Sequence, residues 1–146
     1  MPVGLDIQVD AGSIQRLQER LRAIQHLPLH SLREDLAAEV VSQTQRRISD
    51  EKTDSEGNVW AEWSEDYAAK RHSDHSLLMS EGDLVDDIHF QVEGSQVVVG
   101  SGLIYAATHQ MGDDSRNIKG RPFLGISTDN ENDLIQILDQ WADRNI

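Results

Sequence analysis

Val97-Val98-Val99-Gly100 begins the stretch that decides the fold, and Tyr105-Ala106-Ala107-Thr108-His109-Gln110-Met111-Gly112 and Arg121-Pro122-Phe123-Leu124-Gly125 complete it. The β-branched run at its start is typical of a strand. The alanines of the middle segment favour a helical turn, and Gly112 is a suitable residue to end it. The apolar residues from Phe123 to Ile126 predict a last strand, because Pro122 fits the start of a strand.

The residues just before this stretch predict a β-hairpin. Ile88, Phe90 and Val92 alternate with polar residues, and the turn-forming residues 93–95 separate them from Val97. At the N-terminus, the apolar residues of segment 3–9 also alternate with polar residues or glycine, which predicts another strand with one buried face. We therefore expect a small, mostly antiparallel sheet.

Helical spacing of apolar residues predicts two helices in the first fifty residues. The first helix has Ser13 as its N-cap and ends near His26. The second helix begins at a capping-box pattern, Ser31 to Glu34, and ends near Ser49.

Three further helical segments are expected in the rest of the chain. Two short ones are predicted after Ser64 and after Ser80, both of which are suitable N-caps. A second capping-box pattern, Thr128 to Glu131, begins a C-terminal helix, whose apolar face consists of Leu134, Ile135, Leu138 and Trp141. The expected fold class is α+β, with a small, mostly antiparallel sheet packed against two or three amphipathic helices.

Length and composition limit the number of domains and the compartment. A chain of 146 residues has the size of one domain, so we expect a single domain over residues 1–146. Cysteine is absent, so disulfides cannot stabilise the fold. The sequence shows neither a secretory pattern nor a run of about eighteen apolar residues, which predicts a protein of the reducing cytoplasm. The polar segments 50–58 and 113–120 are expected to be mobile loops.

The charge of the chain is strongly negative. Lysine and arginine number 13, aspartate and glutamate number 26, and the formal net charge is −13. A phosphate backbone repels such a chain unless its basic residues cluster. The nearest approach to a cluster combines Arg16, Arg20 and Arg22 with Arg46 and Arg47, and acidic residues interrupt it. We expect no tight nucleic-acid binding.

Few residues suggest catalysis. The sequence contains no nucleophile-elbow serine, no phosphate-binding glycine loop and no cysteine nucleophile. His72, Asp74 and His75 lie within four residues, and His109 lies in the opening stretch, so a small metal-dependent enzyme is the alternative interpretation. The spacing and the polar context favour solvated loop histidines. We therefore predict a non-enzymatic protein without cofactors; bound metal that is lost in a His109→Ala variant would favour the enzyme.

Aromatic and charged residues around the opening stretch are the remaining site candidates. Trp60 and Trp63 are interpreted as core anchors or, alternatively, as a partner-contact patch. His109 follows Tyr105 by four residues and shares a helical face with it. We expect a structural imidazole bonded to a neighbouring loop, with subunit or partner contact as the alternative. The guanidinium of Arg121 suits bonds to a carboxylate or to backbone carbonyls, within the chain or across an interface.

Several short motifs follow one another from Gly57 to the C-terminus: Gly57-Asn58-Val59-Trp60, Ser64, Lys70, Leu77-Leu78, Gly82-Asp83-Leu84, Val98-Val99-Gly100, Tyr105-Ala106, His109-Gln110-Met111-Gly112 and Arg121-Pro122-Phe123-Leu124-Gly125-Ile126-Ser127 with Asp129. Their order resembles the phage virion morphogenesis family, which includes Mu-like and P2 protein S-like tail completion proteins. The resemblance implies a structural protein of a phage or prophage particle, located in the virion and, during assembly, in the host cytoplasm.

The same resemblance implies partners and an assembled form. The protein would complete the tail or form part of the neck at the head–tail junction, as a homo-oligomeric ring in contact with other tail, neck or connector proteins and without a membrane. If the ring surrounds the DNA path, its acidic excess would line the channel. A cytoplasmic regulator of a host protein is a third interpretation, which neighbouring tail and capsid genes would exclude. Assembly or loop-fixing roles fall on Trp60, Trp63, Tyr105, His109, Gly112, Arg121, Pro122, Phe123, Leu124 and Gly125.

Overall fold

The computed structural model describes residues 11–70, 77–79 and 82–146. Helices dominate these ranges, and within them no helix is long and apolar enough to cross a membrane. The elements in chain order are α1 (Ala11–Gln25), α2 (Leu29–Arg46) with a π-helical turn (Arg47–Glu51), α3 (Glu65–Lys70), α4 (Asp83–Asp86), β1 (His89–Glu93), β2 (Gln96–Gly100), α5 (Ala106–Met111), a 3-10 turn (Asp114–Arg116) and α6 (Thr128–Asn145).

The predicted hairpin is confirmed. Strands β1 and β2 pair antiparallel, with His89 opposite Gly100 and Glu93 opposite Gln96. In the described residues they form a two-stranded sheet that packs against α2, and α6 packs against α2 as well. The strand predicted for segment 3–9 lies outside the described residues. Helix α2 is therefore the central element of an α+β fold, which is the predicted class.

The hydrophobic core lies beside the C-terminal end of α2. Its buried residues come from seven different places in the chain, so the core joins the hairpin, the short helices and the irregular segments to α2. Trp60 is 4% exposed and Phe123 is 1% exposed. Both are core anchors within one chain. The buried cluster consists of Ile48, Trp60, Leu77, Leu84, Ile88, Ala106 and Phe123.

The first two helices begin earlier than predicted. Helix α1 starts at Ala11, so Ser13 lies inside its first turn and is not the N-cap. Helix α2 starts at Leu29, directly after Pro28, and the Ser31 hydroxyl donates to the Pro28 carbonyl at 2.8 Å. The predicted capping box at Ser31 is therefore wrong. The fixed φ of proline, here −77°, suits the residue that precedes a first turn.

Helix α6 has its capping box one residue before the predicted position. The Ser127 hydroxyl, not that of Thr128, accepts from the Asn130 amide at 3.0 Å. In return, the Asn130 side-chain oxygen accepts from the Ser127 amide at 3.1 Å. The pattern of a hydroxyl residue with a polar residue three positions later fits both frames, and the asparagine side chain selects the earlier one.

The short helices agree with the sequence. The Ser64 hydroxyl accepts from the Tyr67 amide at 3.3 Å at the start of α3, as predicted. Helix α5 ends at Gly112, whose φ is +80°, also as predicted. A helical turn is present at α4, whereas its expected cap Ser80 lies outside the described residues.

Segment 50–58 completes the π-helical turn and then forms a hydrogen-bonded loop closed by a bridge between Thr53 and Val59. One carboxylate oxygen of Asp54 accepts from the amides of Glu56 and Asn58, both at 2.9 Å. The bonds from Asn58 lower the pKa of Asp54. The mobility expected for segments 50–58 and 113–120 stays a prediction.

The predicted last strand over residues 123–126 is wrong. This segment is irregular and pairs with neither strand of the hairpin. Its backbone polar groups bond to side chains of the π-helical turn after α2 and of α5 instead of a neighbouring strand. An extended apolar segment satisfied in this way has no need of a sheet partner.

Candidate functional site

The segment Arg121–Gly125 is held in place by side chains that bind its backbone. The side-chain oxygen of Gln110 accepts from the amides of Phe123 and Leu124, both at 3.0 Å. The Trp60 indole donates to the Pro122 carbonyl at 2.8 Å. Each of these bonds crosses from one part of the chain to another, so the segment has one defined path over the core.

A buried arginine also binds the backbone of this segment. Arg47 is 1% exposed, and its Nη1 donates to the carbonyls of Phe123 at 2.7 Å and Gly125 at 3.0 Å. Its Nη2 donates to the side-chain oxygen of Asn130 at 2.6 Å. A planar guanidinium offers several donors in a fixed fork, and these three neutral acceptors fit that fork. Arg47 therefore joins the π-helical turn after α2, the irregular segment and the start of α6.

Burial disfavours the charged form of Arg47. Burial lowers the pKa of the guanidinium, and the nearby carboxylates of Glu51 and Asp54 oppose that shift. Its Nε is buried and has no hydrogen-bond partner within the described ranges. Because arginine stays protonated even when its pKa falls somewhat, the residue remains a cation in the core. It is therefore not available to an external phosphate, unlike its neighbour Arg46.

Arg121 connects the same segment to two other parts of the chain. Its Nε donates to the Ala61 carbonyl at 2.8 Å, and its Nη2 donates to the Glu62 carbonyl at 2.9 Å. Its own amide donates to the His109 carbonyl at 2.7 Å. Within one chain, the guanidinium thus binds backbone carbonyls, one of the alternatives open from the sequence. These bonds connect the segment to the lead-in of α3 and to the end of α5.

The loop between α5 and this segment is closed by close backbone contacts. The amides of Asp113 and Ile118 each donate to the carbonyl of the other, both at 2.8 Å. The Asp113 carboxylate accepts from the Ser115 hydroxyl at 2.6 Å and from Nε of Arg116 at 2.7 Å. These bonds lower the pKa of Asp113 to about 2. The carboxylate is therefore ionised at neutral pH, when it holds the 3-10 turn.

His109 and Tyr105 contact each other on one face of α5, as their spacing predicts. Their ring centroids are 5.5 Å apart and the rings are nearly perpendicular. His109 Nδ1 is buried and has no hydrogen-bond partner in the described part of the chain. It is the main-chain carbonyl of His109, bonded to the amide of Arg121, that holds the neighbouring segment. Burial, followed by the charge of Arg121, lowers the pKa of His109.

We expect His109 to make folding sensitive to acid. Its pKa in the folded protein lies below the ordinary value of 6.5, so the unfolded chain takes up the proton first. The contribution of His109 to the free energy of unfolding is therefore fully present above about pH 6.5. It decreases as the pH falls below that value. Urea unfolding at pH 7.5 and pH 5.5 should show a smaller acid loss for His109→Gln than for wild type. The exposed His26, changed to Gln, is the control and should keep the wild-type loss. An equal loss in His109→Gln and wild type contradicts the assignment.

Four of the predicted residues meet at one cavity of about 870 Å³. The cavity lies between the lead-in of α3, α5 and the loop after α5. Aromatic rings and the guanidinium of Arg116 contribute to its wall, together with the carboxylates of Glu62 and Asp83. Trp63 and Tyr67, whose centroids are 5.9 Å apart, form part of the same wall. The four predicted residues at the cavity are Trp63, Tyr105, His109 and Arg121.

The other predicted residues contribute to the fold of one chain. Trp60 and Phe123 lie in the core, while Pro122, Phe123, Leu124 and Gly125 provide backbone groups that side chains bind. A Cβ at Gly112 would lie 2.5 Å from the Gly120 nitrogen, so this position requires glycine. The prediction of one joint site thus separates into a buried scaffold and an accessible cavity.

The sequence alone did not identify three of the residues that matter most here. The sequence places Arg47 in an interrupted basic cluster and Gln110 in a motif, and no pattern assigns a role to Asn130. A signal for Arg47 was available, because Val40, Thr44 and Arg47 recur at helical spacing in the apolar stripe of the predicted second helix. An arginine in such a stripe indicates a buried polar junction.

No group of three metal-ligating side chains occurs among residues 11–70, 77–79 and 82–146. His72, Asp74 and His75, which the enzyme interpretation requires, lie outside the described residues. His109 contacts an aromatic ring and carries a buried Nδ1, and the nearest charge that shifts its pKa is a cation. This environment disfavours the charged imidazole and does not resemble a carboxylate-assisted base.

These features define an α+β domain in which motif residues bind the backbone of their own chain beside an aromatic cavity. Residues 9–143 match the profile of the phage virion morphogenesis family, and the chain belongs to that family. It is also 25% identical over 149 residues to the putative capsid assembly protein G of Escherichia phage Mu, with 94% of each chain covered. No solved structure is significantly similar.

Proposed function

We propose that this chain is a non-enzymatic component of a phage or prophage particle that completes the tail or forms part of the neck at the head–tail junction. The observation that carries the proposal is the family match over residues 9–143, which includes every motif residue of the scaffold and the cavity. The similar Mu protein is described as a capsid assembly protein, which supports a role in which heads become complete particles.

The cavity is the proposed contact face for a head or tail protein. Trp63, Tyr67 and Tyr105 offer aromatic surface there, and tryptophan, tyrosine and arginine are the residues that most often dominate binding energy at interfaces. The scaffold holds these side chains on a fixed backbone, because Arg121 binds the lead-in of α3 and the end of α5 simultaneously. A preorganised face of this kind loses little entropy on binding.

The assembled form that we propose is a homo-oligomeric ring around the DNA path. Its acidic excess, a formal −13 per chain, would repel the genome from the wall and let it pass. Burial of Arg47 removes one of the few clustered cations from the surface. The purified oligomer should therefore show no measurable binding of duplex DNA at physiological salt. Tight binding under those conditions contradicts the channel role.

Electron microscopy of particles made without the protein tests the proposed function. We expect filled heads and separate tails, and restoration of joined particles by the wild-type gene. A Tyr105→Ala variant should fold but restore few joined particles, because it removes a ring from the cavity wall. Ile104→Ala is the matched control, since Ile104 is the adjacent residue and is 98% exposed outside the cavity. Normal tails already attached to heads in the absence of the protein contradict the proposal.

A further inference from the structure

We infer that α1 of one copy binds an apolar groove between α2, β2 and α6 of a second copy. The inference deepens the proposed ring and rests on that part of the proposed function. It names the two surfaces through which neighbouring copies join. Both surfaces occur on every chain, and they are different from each other.

The first surface is the apolar stripe of α1. No residue of this fifteen-residue helix is buried. Ile14, Leu17, Leu21 and Ile24 recur at helical spacing, and their exposed fractions are 46%, 57%, 51% and 53%. A helix with such a stripe normally buries it against another element. In this chain the stripe has no cover from the described residues.

The second surface is a groove of about 420 Å³ with almost entirely apolar walls. Helix α2 contributes its small and branched residues, β2 contributes valines, and α6 contributes the apolar face predicted from the sequence. Part of the groove wall remains open, since Ile126, Ile135 and Leu138 are 53%, 46% and 43% exposed. The wall includes Ala37, Val40, Val97, Leu134, Ile135 and Leu138.

The two surfaces match in length. The α6 residues that line the groove run from Glu131 to Leu138, and the α1 stripe from Leu17 to Ile24 has the same seven-residue spacing. At about 1.5 Å per residue, each is about 10 Å long. Two turns of α1 can therefore lie along two turns of α6, with apolar side chains in contact over the whole groove.

The two surfaces also match in charge. Helix α1 carries three arginines and one glutamate, a formal +2 in a chain whose total is −13. Helix α6 carries five acidic residues and one arginine, a formal −4. Arg16 and Arg20 are four residues apart and so lie on one flank of the stripe, where they can face carboxylates of α6 such as Glu131. This complementarity favours a second copy of the chain over an acidic partner.

The contact is head-to-tail, and contacts of this kind form the proposed ring when the rotation between neighbouring copies closes. The helix and the groove are different surfaces, so each copy can use its helix on one neighbour and its groove on the other. Within the chain, residues 26–28 connect α1 to α2, and backbone hydrogen bonds such as that from Leu29 to Leu27, at 2.8 Å, hold this connection. Among the described residues that line the groove, none belongs to α1 of the same chain.

Cross-linking of two single-cysteine variants tests the contact, and the absence of native cysteine makes the result unambiguous. Leu17→Cys and Leu138→Cys proteins are mixed and treated with a short bis-maleimide. We expect a covalent heterodimer, whereas Ile104→Cys, which is exposed outside the groove, should give none with Leu17→Cys. Absence of the heterodimer overturns the inference.

Two other occupants of the groove can be recognised in the same experiment. A double variant with Leu17→Cys and Leu138→Cys in one chain should not cross-link internally at high dilution. An internal product would mean that α1 fills its own groove, which overturns the inference. An internal product from Ile7→Cys with Leu138→Cys would show that the N-terminal segment fills it, which overturns the inference equally.

A charge placed in the stripe gives an independent readout. Leu17→Asp with Leu21→Asp should weaken self-association roughly tenfold or more in sedimentation, because charged side chains cannot enter an apolar groove. Its far-UV circular dichroism should stay that of wild type, since α1 buries no residue. Gln15→Asp, on the opposite face of α1, is the control and should assemble normally. Unchanged assembly of the double variant overturns the inference. The proposed function would still hold in that case, provided that particles made without the protein fail to join heads and tails.

Discussion

Replacement of Arg47 by alanine is expected to reduce the free energy of unfolding by about 3 kcal/mol or more. The change removes a charged donor from two carbonyls and from the side-chain oxygen of Asn130, and a bond to a charged group contributes about 1.5–3 kcal/mol. It also opens a cavity next to Phe123, which is 1% exposed. Urea denaturation followed by circular dichroism measures the effect.

Arg46→Ala is the matched control for this experiment. Arg46 is the preceding residue, its side chain is 48% exposed, and its contact is with Glu39 at 3.5 Å. Removal of an exposed pair of this kind should change stability by about 0.5 kcal/mol or less. Arg47→Lys should lie between the two, because an ammonium keeps the charge but cannot reach all three acceptors. Equal stability of Arg46→Ala and Arg47→Ala contradicts the structural role of the buried arginine.

Replacement of Gly112 by alanine is expected to be the second most damaging change, with a loss of roughly 3 kcal/mol. The residue has φ of +80°, and a Cβ would lie 2.5 Å from the Gly120 nitrogen and 2.7 Å from the Ile118 carbonyl oxygen. The backbone must therefore move at the point where the loop after α5 closes. Strain at a positive φ and overpacking are both mechanisms with large destabilising effects.

Gly57→Ala separates these two causes. Gly57 has φ of +87°, but a Cβ there would meet nothing within 4 Å. Its replacement should cost only the positive-φ preference, about 1 kcal/mol. Thermal unfolding of both variants gives the comparison. A Gly112→Ala protein as stable as Gly57→Ala shows that the close approach of residues 118 and 120 does not limit the loop.

Local sequence patterns predicted most of the secondary structure because those elements are determined by local interactions. The hairpin followed from alternation around a glycine turn, and α5 from two alanines before Gly112. The predicted cap of α2 was misplaced by three residues and that of α6 by one residue, and the predicted cap of α1, Ser13, lies inside the helix. At each of these starts, neighbouring serine, threonine, asparagine or proline residues offer several plausible caps, and the chosen one depends on the exact hydrogen bonds.

The segment after Pro122 shows what sequence patterns could not predict. Its apolar residues are typical of a strand, but Gln110 of α5 and Arg47 of the π-helical turn after α2 satisfy its backbone groups. Arg47 precedes Phe123 by 76 residues, so no local pattern connects them. The sequence therefore predicted which residues belong to the candidate site. Only the three-dimensional structure showed which of them form the buried scaffold and which line the cavity.

The proposed function is that of an assembled component at the place where head and tail meet. Gold labelling of a tagged protein in purified particles, viewed by electron microscopy, tests it most directly. The C-terminal Ile146 is 80% exposed and is a suitable position for the tag. We predict label at the head-proximal end of the tail or in the neck, on most joined particles. Label confined to the distal tail tip, or particles free of the protein, would contradict the claim.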